Sequence, residues 1–177
     1  MILARVPEGR VLGIDPGTGV MGYGVVEGGG GRPPRLIECG VIRTSPRQPL
    51  PARLRTLHEG LAELFARHQP AALAVEDIFY GTNVRTTAVL GHARGVVLLA
   101  GALAEVPVFE YPPATIKKAI VGRGGAVKIQ VGYMVAKLLG LTAAPKPSDA
   151  ADGVAVALTH LLAGRRLPGA GAARPAR

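Results

Sequence analysis

Two short apolar runs, Val11-Leu12-Gly13-Ile14 and Ala72-Leu73-Ala74-Val75, each end in an acid, Asp15 and Glu76. This feature constrains the fold most. Runs of this length bounded by turn residues read as buried strands. A carboxylate closing a buried strand needs a partner or a cation. Between the runs, Leu54, Leu57, Leu61, Leu64 and Phe65 recur at helical spacing. A helical crossover predicts that the two strands lie parallel. Asp15 and Glu76 then share the carboxyl edge of one sheet, where open α/β sheets tend to place function.

The flanking pattern extends this plan. Strands are expected over 10–14, 21–26 and 36–43, joined as an antiparallel meander, with a loop at Gly28 to Gly31 and Pro33-Pro34. The helix after Pro51 runs to about His68, and the fourth strand covers 71–76. A long helix rich in small residues spans 83–105, and a fifth strand spans 106–111. Helices follow over about 114–121 and 127–139, separated by the loop Gly122 to Gly125; a last helix starts after Lys146-Pro147-Ser148 and ends near Ala163. The expected class is α/β, a mixed five-stranded sheet flanked by helices. Residues 1–163 form one domain, and 164–177, rich in Gly, Ala, Arg and Pro, are expected to be a disordered basic tail.

Asp149 and Asp152 open the last helix three residues apart, hence on one face. With Asp15 and Glu76 they suggest one acidic pocket. Four converging carboxylates repel one another without a cation. Mg²⁺ takes oxygen ligands and needs no His or Cys cluster. Each acid also has a plainer reading. Asp15 before Pro16-Gly17 can start a turn, and Asp149 and Asp152 can favour a helix N-terminus with Ser148 as cap. Asp77 follows Glu76 on a strand and so points to the other face.

The 177-residue chain carries a net charge of +9. Four arginines lie in the acid-free segment 164–177, so the remainder is only mildly basic. A basic surface around an acidic pocket suits an enzyme that cuts nucleic acid. Cys39 is the only cysteine, which excludes an internal disulfide, and it reads as a small buried residue. His58, His68, His92 and His160 show no metal-ligand spacing. No signal peptide or membrane span is legible, so a cytoplasmic protein is expected.

Gly13-Ile14-Asp15-Pro16-Gly17 followed by Gly22-Tyr23-Gly24-Val25 resembles the first motif of the RuvC family, the bacterial Holliday junction resolvases. Val75-Glu76-Asp77-Ile78-Phe79 resembles the second, and Asp149-Ala150-Ala151-Asp152-Gly153 the last. Leu90 to Gly95, Pro107 to Tyr111, and Lys117, Val121-Gly122, Gly124, Ala126, Lys128 and Gln130 resemble the blocks between. The resemblance covers roughly 10–163 in order. It implies an RNase H-like fold, a homodimer and paired nicks across a four-way DNA junction, dependent on two Mg²⁺ (or Mn²⁺) per active site. It carries Asp15, Glu76, Asp149 and Asp152 over as catalytic, metal-holding acids; some relatives have His at the position of Asp149. It also implies the RuvA and RuvB branch-migration proteins as partners. Pro112-Pro113-Ala114, Lys118 and Tyr80 depart from the family pattern and bear on DNA contacts, not on the chemistry.

By the same resemblance, Lys117 and Lys128 match basic positions near the cut phosphate, and Phe79 an aromatic that stacks at the junction. The plainer readings are solvated lysines beside a glycine loop and a ring that staples the helix entry. Gly91 and Gly95 allow close backbone approach, to the sheet or to a second subunit; the resemblance favours a dimer interface. Two alternatives remain in view. One is a nucleotide-clasping domain of the actin and sugar-kinase type, whose phosphate loop Asp15-Pro16-Gly17-Thr18 also fits. The other is a DNA-binding module that has kept the fold and lost catalysis.

Overall fold

The computed structural model describes residues 9–77, 84–163 and 174–175. Strands β1 (Gly9–Asp15), β2 (Val20–Gly29) and β3 (Arg32–Arg43) form the antiparallel meander. Helix α1 (Leu50–His68) crosses to β4 (Ala72–Glu76), which lies parallel to β1. Helix α2 (Val84–Leu103) crosses to β5 (Val108–Tyr111), parallel to β4. Helices α3 (Pro113–Val121), α4 (Lys128–Leu139) and α5 (Ser148–Ala163) follow. The five-stranded order is β3-β2-β1-β4-β5, and the two-residue strand β6 (Arg174–Pro175) pairs antiparallel with β5 at the edge. The rest of the expected tail lies outside the described residues.

Strand alternation sends side chains to two cores. Leu12, Ile14, Leu73 and Val75 pack with Leu57, Leu61 and Val97 beneath α1 and α2. Val11, Ala72 and Ala74 pack with Val154, Leu158, Val131 and Ile120 beneath α3, α4 and α5. The fifth member of each alternation, Asp15 or Glu76, therefore faces α5.

One expected loop is shorter. Pro33 and Pro34 fall inside β3, and the turn is confined to Gly30 and Gly31. Gly29, Gly30 and Gly31 all have positive φ, which lets the chain reverse tightly. Strand β3 is an edge strand, where prolines without N–H groups are tolerated. Cys39 is half-buried rather than buried, because it sits on that edge.

Helix α5 rests on the sheet by backbone contact. A Cβ at Gly22 would run into the carbonyl oxygen of Asp149, and one at Gly13 into that of Gly153. Side chains at these glycines would lift the helix and the acids of its first turns away from β1 and β2. This is the physical content of the glycine-rich first motif.

Candidate active site

Asp15 ends β1 and Glu76 ends β4; the register Ile14 opposite Val75 makes their strand ends neighbours. Asp149 and Asp152 come down from α5 onto the same edge. Ligand oxygens of Asp15, Asp149 and Asp152 lie within 4.8 Å of one another, a spacing suited to a shared cation. Glu76 stands outside that trio but feels the charges of Asp15 and Asp152. Asp77 turns to the opposite face, where its carboxylate lies 3.5 Å from Arg94 Nε of α2.

The electrostatics fit a site that wants positive charge. Burial pushes Asp15 up to about 6, with Asp152 and Asp149 adding to the rise and Lys128 opposing it. Burial likewise pushes Glu76 up to about 7, aided by Asp15 and Asp152 and opposed by Lys128 and Lys117. Desolvation together with like charge, at the end of a sheet, makes this pocket a candidate functional site. A divalent cation would relieve both causes at once. The donors are all carboxylates, as a hard cation prefers.

Lys128 is the first residue of α4 and donates from Nζ to Asp152 Oδ2 at 2.7 Å. Lys117, on α3, approaches closely enough for its charge to act on Glu76. The structure thus brings both lysines to the acids. Arg123, by contrast, is held by Gln130 Oε1 at 3.0 Å, and the same oxygen accepts from the Val127 N–H at 3.2 Å, so it shapes the entry to α4. Phe79 lies outside the described residues. Gly91 and Gly95 lie on α2 far in sequence from these acids, and a Cβ built on either meets no heavy atom within 4 Å. Among the described residues, the side of α2 onto which these two glycines open is therefore uncrowded.

Sequence patterns missed two features. One is a buried pair, Tyr111 Oη to His160 Nδ1 at 2.7 Å, joining β5 to α5. Nothing in local spacing connects residues 49 apart. The other is an apolar groove beside the acids, between α4 and the segment leading into α5. Its sequence signal is faint: Val127 and Ile129, apolar residues flanking Lys128 at an exposed helix start.

A family model described as crossover junction endodeoxyribonuclease RuvC matches residues 11–160. This chain belongs to the RuvC family. The crossover junction endodeoxyribonuclease RuvC of Chloroflexus aggregans is 50% identical over 151 residues, which are 85% of this chain and 92% of that protein. That of Parafrankia sp. is 47% identical over 168 residues, 95% of this chain and 94% of that protein. Among solved structures, Thermus thermophilus RuvC in complex with Holliday junction substrate superposes with a TM-score of 0.86 at 40% identity, covering 95% of this chain and 99% of that one. The RNase H-like architecture expected from the motifs is therefore the architecture found. Family membership also decides against the nucleotide-clasp alternative.

Proposed function

We propose that this chain resolves four-way DNA junctions by paired, Mg²⁺-dependent nicks, acting as a homodimer. Family membership makes it a crossover junction endodeoxyribonuclease, a hydrolase of phosphodiester bonds. The observation that carries the catalytic reading is the trio Asp15, Asp149 and Asp152 within 4.8 Å, with Glu76 on the adjoining strand end.

In this reading Asp15 and Asp152 would hold one ion and Asp15 and Glu76 the other, while Asp149 would bind metal or position the attacking water. Two such ions, when bound, would supply an activated water and charge relief on the leaving 3′ oxygen. The remaining work belongs to the chain. Strand ends β1 and β4 hold two acids in fixed register, and α5 is locked to the sheet through Gly13 and Gly22. Lys128 exchanges Asp152 for the scissile phosphate when DNA enters, and Lys117 adds a second phosphate contact. Lysine ammonium groups serve as point charges toward phosphate. Phe79 stacks on an unpaired base at the junction centre.

The outer face of α2 supports the dimer. Gly91 and Gly95 are open to close approach, and Leu99 and Leu103 on the same helix are 54% and 66% exposed. A two-fold axis there presents two acidic pockets to two strands of like polarity. RuvA and RuvB are the partners this reading carries. Among the described residues no helix is long and apolar enough to cross a membrane, and the cytoplasm is the proposed location. The deciding assay compares nicking of a synthetic four-way junction with nicking of matched linear duplex, with and without Mg²⁺. Symmetric, Mg²⁺-dependent cuts on the junction alone are expected; equal cutting of linear duplex removes the junction selectivity.

A further inference from the structure

The groove beside the acids has a volume of about 710 Å³ and shares Lys128 and Asp152 with them. Its floor and walls are Ile129, Gly132, Ala144, Pro145, Pro147 and Ala151. Ile129 is 85% exposed on its rim. Gly132 keeps the floor low: a Cβ there would lie 3.4 Å from that of Ala144. Lys128 borders one end, and Lys146, also a lining residue, is exposed. Asp152 is the only acid among the lining residues, and Lys128 is bonded to it.

An apolar trough with ammonium groups at its border has the chemistry of a nucleotide site. The flat base and the sugar take the apolar surface, and the phosphates take the cations. Continuity with the acidic pocket selects which nucleotide. A strand whose phosphate lies on the acids must continue past Lys128, and the next nucleotide then lies over Ile129 and Pro147. We infer that this groove seats the base and sugar of a nucleotide adjacent to the cut phosphate, with Lys146 on its outer phosphate. The inference rests on the resolvase reading and adds to it a subsite that distinguishes the strand being cut. It also accounts for an isoleucine held in solvent beside a basic, polar helix start, where a polar residue would cost less.

The test is a double-mutant cycle between protein and DNA. Junctions with a mapped cut site are made with an abasic residue at each of the two positions on either side of the cut phosphate. Cutting rates are measured for the wild type and for Ile129→Ser, whose exposed position leaves the fold intact, as a melting curve verifies. At one position the abasic residue and Ile129→Ser each slow cutting about tenfold, as expected for losing part of one apolar contact, and together they slow it no further. Losses that multiply at all four positions, or wild-type cutting by Ile129→Ser on the intact junction, overturn the inference and assign the groove another occupant. Lys146→Ala should lower the slope of log affinity against log salt by about 0.9, one phosphate contact; an unchanged slope removes the phosphate half of the site. Wild-type cutting of the intact junction in the same assay checks the resolvase reading separately, and its absence overturns both.

Discussion

The two faces of the sheet treat acidic side chains in opposite ways. On the α1 and α2 face, acids come with their partners. Glu38 accepts from Tyr23 Oη at 2.9 Å and from Arg67 Nη1 at 3.0 Å, and lies 2.9 Å from His68 Nε2. Arg94 bridges Asp77 and Glu110. Burial alone would raise Glu38, but its donors outweigh burial and hold it below the ordinary glutamate value. On the α5 face, Asp15, Asp149 and Asp152 converge on one another with Lys128 bonded to Asp152, and Asp15 and Glu76 are raised to about 6 and about 7. Neighbouring residues on one strand, Glu76 and Asp77, thus fall into different regimes because alternation sends them to different faces. The difference separates acids whose charge the fold itself compensates from acids whose charge it leaves largely uncompensated.

The largest effect expected from this contrast is on chemistry. Asp15→Asn, Glu76→Gln and Asp152→Asn should each lower Mg²⁺-dependent junction cutting by about three orders of magnitude or more, since several kcal/mol of charge stabilisation is lost. Junction binding, measured by gel shift, should be kept or tightened, because a negative charge facing phosphate is removed. Wild-type nicking by any one of the three would take that residue off the catalytic list.

Quaternary structure comes next. If the proposed dimer forms through α2, Gly95→Leu and Gly91→Leu should turn it into a folded monomer, read by light scattering at micromolar concentration. A Cβ at either position meets no heavy atom within 4 Å, and circular dichroism on each variant separates loss of the dimer from loss of folding. A wild-type monomer would remove the symmetric-cleavage argument.

The titration of the two faces sharpens the comparison further. In the metal-free fold Asp15 and Glu76 keep their protons to about 6 and about 7, whereas an unfolded chain releases them near 4. The folded state therefore binds more protons across that window, and stability falls as pH rises through it. His160 acts oppositely. Burial lowers it to about 4, so the unfolded chain binds its proton first, and stability rises with pH from about 4 to about 6.5. Two carboxylates outweigh one imidazole, so the net expectation is a decline from about pH 4.5 to about 7, shallower than the acids alone would give, and a level contribution above it. Mg²⁺ at pH 8 should raise the melting temperature by roughly 5 °C, the equivalent of about 2 kcal/mol in a chain of this size. Glu76→Gln should flatten the decline, and a melting profile of that variant indistinguishable from the wild type would contradict the assignment.

On the opposite face, Glu38→Gln should lower stability by about 1–3 kcal/mol in denaturant unfolding, because Arg67 and Tyr23 lose a charged acceptor. Junction cutting should stay at the wild-type rate; a loss comparable to that of Glu76→Gln would erase the distinction between faces. The smallest effect is that of Lys128→Ala, which should reduce the salt slope of junction binding by about one phosphate contact. No change in slope would confine Lys128 to its bond with Asp152.

Much of this was legible in the residue order. Strand and helix periods, the crossover rule and the family motifs together identified the five-stranded mixed sheet, the four acids and their shared edge, because these depend on spacing along a single element. Lys117 and Lys128 were legible as charges but not as neighbours of Glu76 and Asp152. Pro33 and Pro34 read as a loop, since local propensity does not show that β3 is an edge strand. Tyr111 with His160, Glu38 with its three donors, and the groove under Ile129 arise only when distant segments pack. Their partners are brought together by sheet order and by the glycines that let α5 lie on β1 and β2. Spacing along the chain determined which acids share an edge, and the packing of α5 and α4 decided how close they come and which cation meets them.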